Sequence, residues 1–310
     1  MMIARTGMTK TSVGSWWSAI LVGILCSVGC GADRQRDRGD VTLEYFRGYC
    51  WGGDTEQVRR ILSIHPEWAS SDLDGGGSPL HWTAGGFGKD AEIAELLIQY
   101  GAPVNEVDRL GETPLCRAAS KGNLPIAKLL VEAGADVNFT FAWRYGGGWR
   151  GMSPLDIAAG YDEPQLVRFL LDQGAKLSHP NQYMHAIHHA CWRVGGRLKN
   201  RNGSNQEVIE MLIEAGADIN DARGILGITP LMRAIEHKEV STIRYLLTRT
   251  DLRINQPRPE EAGGTTALDD ALEGLAEKPG EDIKQIVDML RKHGAKTKQE
   301  LAKEAAQGER

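Results

Sequence analysis

The sequence predicts an all-α solenoid of stacked helix-turn-helix units, and two recurring phrases carry that expectation. SPLHWTA at 78–84 returns as TPLCRAA at 113–119, SPLDIAA at 153–159, TPLMRAI at 229–235 and, loosely, TALDDAL at 266–272. A second phrase trails each: LLIQYGAPVN (96–105), LLVEAGADVN (129–138), LLDQGAKLS (170–178), MLIEAGADIN (211–220) and MLRKHGAKT (289–297). Gly101 and Gly134 are 33 apart and later Gly–Ala pairs stretch to 40 and 42, so insertions lengthen a unit of about 33 residues. Such a unit cannot bury its own apolar face, but a stack of them can.

These phrases resemble the ankyrin repeat over roughly residues 42–297, which implies about seven helical units joined by β-turn or hairpin fingers. The local chemistry agrees at each step. Ser or Thr before Pro caps the first helix, and Pro at the first helical position loses only an N–H that had no partner. Ala118–Ala119 is small where neighbouring first helices stack closely. Asn123 with Pro125, and Asp162 with Pro164, are expected to start the second helix in the same way. Ile126, Leu129 and Leu130, then Leu166, Val167, Leu170 and Leu171, supply its apolar face. Gly134 and Gly174 supply the left-handed stop. Asn138 and Asn220 suit the turn toward the next repeat.

The array is expected to span 41–297. A divergent N-terminal cap lies near 42–72, where YCWGGDTEQVRRIL keeps only the second-helix pattern, and a charged C-terminal cap near 266–297. The tail 298–310 is helix-prone, charged and expected to fray. Before the array, residues 1–29 hold Arg5, Lys10 and the apolar run WWSAILVGILCSVG, the pattern of an export signal. SVGC at 27–30 resembles the lipobox of bacterial lipoproteins, with Cys30 as the lipid attachment site, although Ser27 stands where that motif prefers Leu. Cleavage to a soluble chain and an uncleaved anchor stay open, because Thr11 to Ala32 is 22 residues without a charge. Residues 30–40 read as a flexible tether reaching about 17 Å as a random coil. The expected location is therefore the cell envelope, by lipid anchor, with a soluble periplasmic or secreted form as the alternative.

Composition narrows the function classes. Net charge is −5, and without the leader's two cations it is 34 − 41 = −7, which argues against general nucleic-acid binding. The cluster His185, His188 and Cys191 has zinc-ligand chemistry and spacing. Laid over the first phrase, however, HAIHHAC puts His185 at Thr, His188 at the repeat's own His (His81 earlier) and Cys191 at the second small position. The resemblance makes that His structural, so no metal and no cofactor are expected, and a metal-dependent enzyme using these three residues is the lesser alternative. Cys50 and Cys191 share the second-Ala position, Cys116 replaces a phrase His, and no pair is placed to form a disulfide. No nucleophile elbow, phosphate loop or catalytic carboxylate pair stands outside the repeat pattern.

Ankyrin arrays bind other proteins through a concave face, and the resemblance makes the variable phrase positions its display: Trp82, Arg117, Ile157, His189, Arg233 and Asp270. Trp and Arg are residues that interfaces favour, and this set suggests a partner with acidic and aromatic features. Insertions add more. The finger FTFAWRYGGGWRG at 139–151 carries Trp143, Arg144, Tyr145 and Trp149 among five aromatics and two arginines. It reads either as a contact element or as a brace covering the solenoid edge. VGGRLKNRNG at 194–203 reads as a solvated loop between the helices of one repeat. The expectation is a monomeric, non-catalytic protein binder with an unidentified protein partner; an inhibitor or immunity partner of an exported enzyme is the alternative.

Overall fold

A computed structural model describes residues 41–72, 76–86, 91–142, 150–179, 184–192, 205–223 and 225–308. Cys30, the leader and tether, the segment 143–149 with Trp143, Arg144, Tyr145 and Trp149, and all of the 194–203 insertion lie outside the described residues. Among the described residues, no helix is long and apolar enough to cross a membrane. The chain forms two compact units, residues 1–103 and 104–310.

The first unit holds α1 (Leu43–Gly52), α2 (Thr55–Ile64), a 3-10 turn (Pro66–Ser70), α3 (Pro79–Gly85) and α4 (Ala91–Gln99). Gly53 takes φ 86° and returns its N–H to Tyr49 O, which stops α1. Asp54 then caps α2 by accepting from Gln57 N at 3.2 Å. Pro79 opens α3 behind Ser78. Phe46, Leu62, Leu80 and Leu97 are fully buried, so apolar packing between helix pairs forms the core. Gly86 is required by space: a Cβ there would sit 2.4 Å from Trp51 O, where the end of α3 meets α1.

The second unit repeats the plan five more times and adds a tail helix. Its helices are α5 (Pro114–Lys121) and α6 (Leu124–Glu132), α7 (Pro154–Gly160) and α8 (Pro164–Asp172), α9 (Ala186–Ala190) and α10 (Gln206–Glu214), α11 (Pro230–Glu236) and α12 (Val240–Leu246), α13 (Ala267–Glu277) and α14 (Glu281–Lys292), then α15 (Lys298–Gly308). Thr113, Ser153, Thr229 and Thr266 cap the first helices as expected. Leu130, Leu170, Leu212 and Leu290 of the second helices are fully buried. The long finger is a hairpin at its base, where β1 (Phe141–Ala142) pairs antiparallel with β2 (Arg150–Met152).

Two local expectations are corrected. Asp162 does not cap α8: the cap residue is Glu163, without a side-chain cap bond, and Asp162 takes φ 57°. It occupies the left-handed link position that Gly122 fills at φ 60° and Lys238 at φ 56°, so the preceding pair's Asn123 cap has no equivalent here. The tail is also not frayed. Lys298 pairs with Glu260 at 2.9 Å, Arg291 with Glu300 at 2.7 Å and Lys296 with Glu304 at 2.6 Å, which docks α15 on the final repeat. These pairs are solvated, so each contributes little by itself.

Candidate functional site

The variable positions of the first helices are less open than their sequence suggests. Trp82 is half-buried, donates Nε1–H to Gly77 O at 3.0 Å and carries the Arg47 guanidinium 4.8 Å above its ring. Ile157 is buried, His189 is 2% exposed and Arg233 is 7% exposed. Side chains of the preceding repeat cover two of these positions, Arg47 at Trp82 and Trp192 at Arg233.

The expected positive display is neutralised inside the chain. Arg117 donates Nε–H to Asp108 at 3.0 Å, pairs with it through Nη2 as well, and meets Glu112 at 3.0 Å. Burial raises the Glu112 carboxyl above its ordinary range, with Arg117 opposing the shift. Arg233 donates to Glu236 at 2.6 Å and lies 4.5 Å above the Trp192 ring, which also stacks on His237 at 4.5 Å. Arg258 donates to Asp270 at 2.6 Å. An acidic partner feature would have to displace these internal carboxylates, so the arginines alone do not call for one.

Beside this face lies a buried polar cluster. His185 occupies the cap position of α9, and its backbone N–H donates to His188 Nδ1 at 3.3 Å. His188 Nε2 faces the carbonyl oxygens of Asp221 at 2.9 Å and Ile228 at 3.0 Å, so that nitrogen carries the proton. Ser78 and His81 form the same start in the first unit, at 3.1 Å from Ser78 N to His81 Nδ1. His185 Nδ1 bonds Asp221 Oδ2, and Arg223 grips both oxygens of that carboxylate from 2.9 and 3.0 Å. The bonds from His185 and Arg223 hold the Asp221 carboxyl far below the usual carboxylate range against the opposing pull of burial. Burial pushes His188 down to about 4 and His189 to about 3, so both imidazoles are neutral near pH 7.

Donor atoms of His185, His188 and Asp221 lie within 4.8 Å of one another, the spread of a metal site. The third member is Asp221, not Cys191, whose thiol is fully buried and pushed above its ordinary value by desolvation. The lone pairs of His188 and Asp221 that would bind a cation are already engaged. His188 spends one nitrogen accepting and the other donating, and Asp221 is filled by His185 and a guanidinium. The cluster is therefore an inter-repeat fastening, and these residues do not fit a metal.

Asparagines supply a second fastening that the sequence only half revealed. Asn105 donates to Gly134 O at 2.9 Å and accepts from Asp136 N at 2.9 Å. Asn138 does the same with Gly174 O and Lys176 N, Asn220 with Asp251 O and Arg253 N, and Asn255 with Gly294 O and Lys296 N. Each clamp ties one turn to the helix stop of the following repeat. Its signal in the sequence is the Asn four residues after Gly101, Gly134 and Gly216, which Asn255, four after Asp251, lacks.

Comparison with known proteins follows the same units. A family model described as ankyrin repeats (3 copies) matches residues 49–141 and 198–300, and one described as ankyrin repeat matches 150–182. The chain belongs to the ankyrin-repeat family. It is 28% identical over 226 residues to the ankyrin repeat and KH domain-containing protein mask-1 of Caenorhabditis elegans, covering 73% of this chain and 8% of that protein. It is 30% identical over 205 residues to the human ankyrin repeat and SOCS box protein 16, covering 66% and 42%. A putative ankyrin repeat-containing protein of Treponema pallidum is 38% identical over 115 residues, covering 37% and 36%. The match thus spans less than half of each of these relatives. The crystal structure of the human ASB11 ankyrin repeat domain superposes with a TM-score of 0.59 at 20% identity, covering 79% of this chain and 96% of that one, which shows the shared fold. Membership of this family implies protein–protein binding.

Proposed function

We propose that this chain is an exported, lipid-anchored ankyrin-repeat protein that binds another protein and catalyses nothing. The observation that carries the binding reading is the finger base: the ladder between Phe141–Ala142 and Arg150–Met152 fixes both ends of the segment bearing Trp143, Arg144, Tyr145 and Trp149. Aromatic residues give large contact area for few frozen rotors. In the first unit, taken by itself, Trp82 presents a half-buried ring on α3. The arginines at 117 and 233 and the imidazole at 189 serve this reading as supports of the face, since each is paired or buried.

Absence of catalysis is supported by the chemistry of the buried groups. The Cys50, Cys116 and Cys191 thiols are buried and pushed upward by desolvation, the reverse of what a nucleophile needs. Export and anchoring are supported by Arg5, Lys10, the apolar run after them and Cys30. Replacing 143–149 with a four-residue turn and capturing partners from envelope extract tests the binding reading. Loss of capture with an unchanged melting temperature is expected; retained capture overturns it. Cys30→Ser is expected to remove the chain from the membrane fraction, and membrane fractionation like wild type would overturn the anchor.

A further inference from the structure

The repeat made by α9 and α10 departs from its neighbours in two independent ways. Its junction with the preceding repeat lacks the asparagine clamp, while Asn220 keeps the clamp to the following one. Ser178 stands where Asn105, Asn138, Asn220 and Asn255 tie the next helix stop, and among the described residues it makes no bond to Gly216 or Asp218. Its first helix is also started by a pair of imidazoles in place of a hydroxyl and a carboxylate. In the preceding repeat, Ser153 N donates to the Asp156 carboxylate at 2.6 Å; here His185 N donates to a lone pair on His188 Nδ1, and a proton placed on that atom would face the N–H it now accepts.

We propose that this repeat is an acid-released link: on mild acidification α9 and α10 detach from the preceding repeat while the flanking repeats stay folded. Protonation has nowhere favourable to go inside the fold. His188 meets His185 beside it and the Asp221 carboxylate, which Arg223 already neutralises. His189 faces His188, His185 and the Arg233 guanidinium, all unfavourable to a second positive charge. The acids of the packed helices are turned elsewhere. Asp156 of α7 serves Ser153, Glu210 of α10 serves Gln206, Glu207 is exposed, and Glu236 of α11 holds Arg233. Opening the repeat lets both imidazoles take protons in water, so acid favours the open form.

Hydrogen exchange on the full chain at pH 7 and pH 5, corrected for intrinsic rates, tests this. Protection over 186–190 and 206–214 is expected to fall at least about tenfold at pH 5, while 154–172 and 240–246 keep theirs. Ser178→Asn, which completes the clamp without touching a titratable group, should raise protection of 206–214 at both pH values by several-fold. His188→Gln, which can still accept and donate but not titrate, should shrink the acid effect. Equal loss in every repeat, no loss at pH 5, or an acid loss unchanged in His188→Gln would overturn the proposal. So would unchanged exchange in Ser178→Asn.

Discussion

The repeats at 153–178 and 185–220 share one plan and differ in what holds the first helix. In the earlier one, Ser153 and the Asp156 carboxylate cap each other and Asn138 clamps the far end. In the later one, His185 and His188 replace that box, Asp221 joins from the following finger, and Ser178 leaves the clamp from the preceding finger unmade. The apolar contribution is alike, since Leu155, Leu170, Ile187 and Leu212 are all buried. The difference teaches that this array tolerates changes in its polar fastenings when stacking is kept, and that such changes move its pH dependence more than its fold.

Shared stacking sets the largest expected effect. Leu170→Ala and Leu212→Ala should each cost about 2–5 kcal/mol in urea unfolding, because each empties a fully buried leucine site. A loss under about 0.5 kcal/mol at either would show that stacking is not common to both repeats.

Acid should separate them next. Unfolding releases His188 from its depressed value of about 4 to the ordinary value of 6.5. Its stabilising contribution is thus fully present above the ordinary value and is lost as pH falls toward the folded one. At pH 5 that loss amounts to about 2 kcal/mol from His188 alone. Urea midpoints at both pH values check it, and His188→Gln should flatten the difference.

Smaller effects follow at the caps and the tail. His185→Ala strips a partner from the buried Asp221 carboxylate and should cost about 1–3 kcal/mol. Ser153→Ala removes a helix cap, and about 1 kcal/mol is expected. Glu304→Gln breaks a solvated pair with Lys296 and should change stability by under about 0.5 kcal/mol, which a thermal scan can bound.

Much of the fold was legible because its signals are local. TPL-type starts, second-helix leucines and the Gly stops lie within one phrase: Thr113 and Thr229 cap, and Leu130 and Leu170 are buried, while Leu129 and Leu171 are half-buried. The parts that escaped depend on a second repeat. Asp221 is 36 residues from His185, and no local period marks the pair. His189 and Arg233 look exposed on an isolated helix, but neighbouring helices cover them. Asp162 has the sequence position of a cap because Pro164 follows it, yet the link takes a left-handed residue there. α15 reads as a charged tail until Glu260, a repeat away in sequence, is placed beside Lys298.

The neutral imidazole at the start of α9 can be observed directly. Nitrogen NMR of the folded chain, titrated from pH 7 downward, reports the tautomer and protonation of His188. A single Nε2–H tautomer that persists well below pH 6, down to about 4, is the expected result. Protonation near 6.5 in the folded chain, or an Nδ1–H tautomer, would contradict the histidine fastening and with it the contrast between the two repeats.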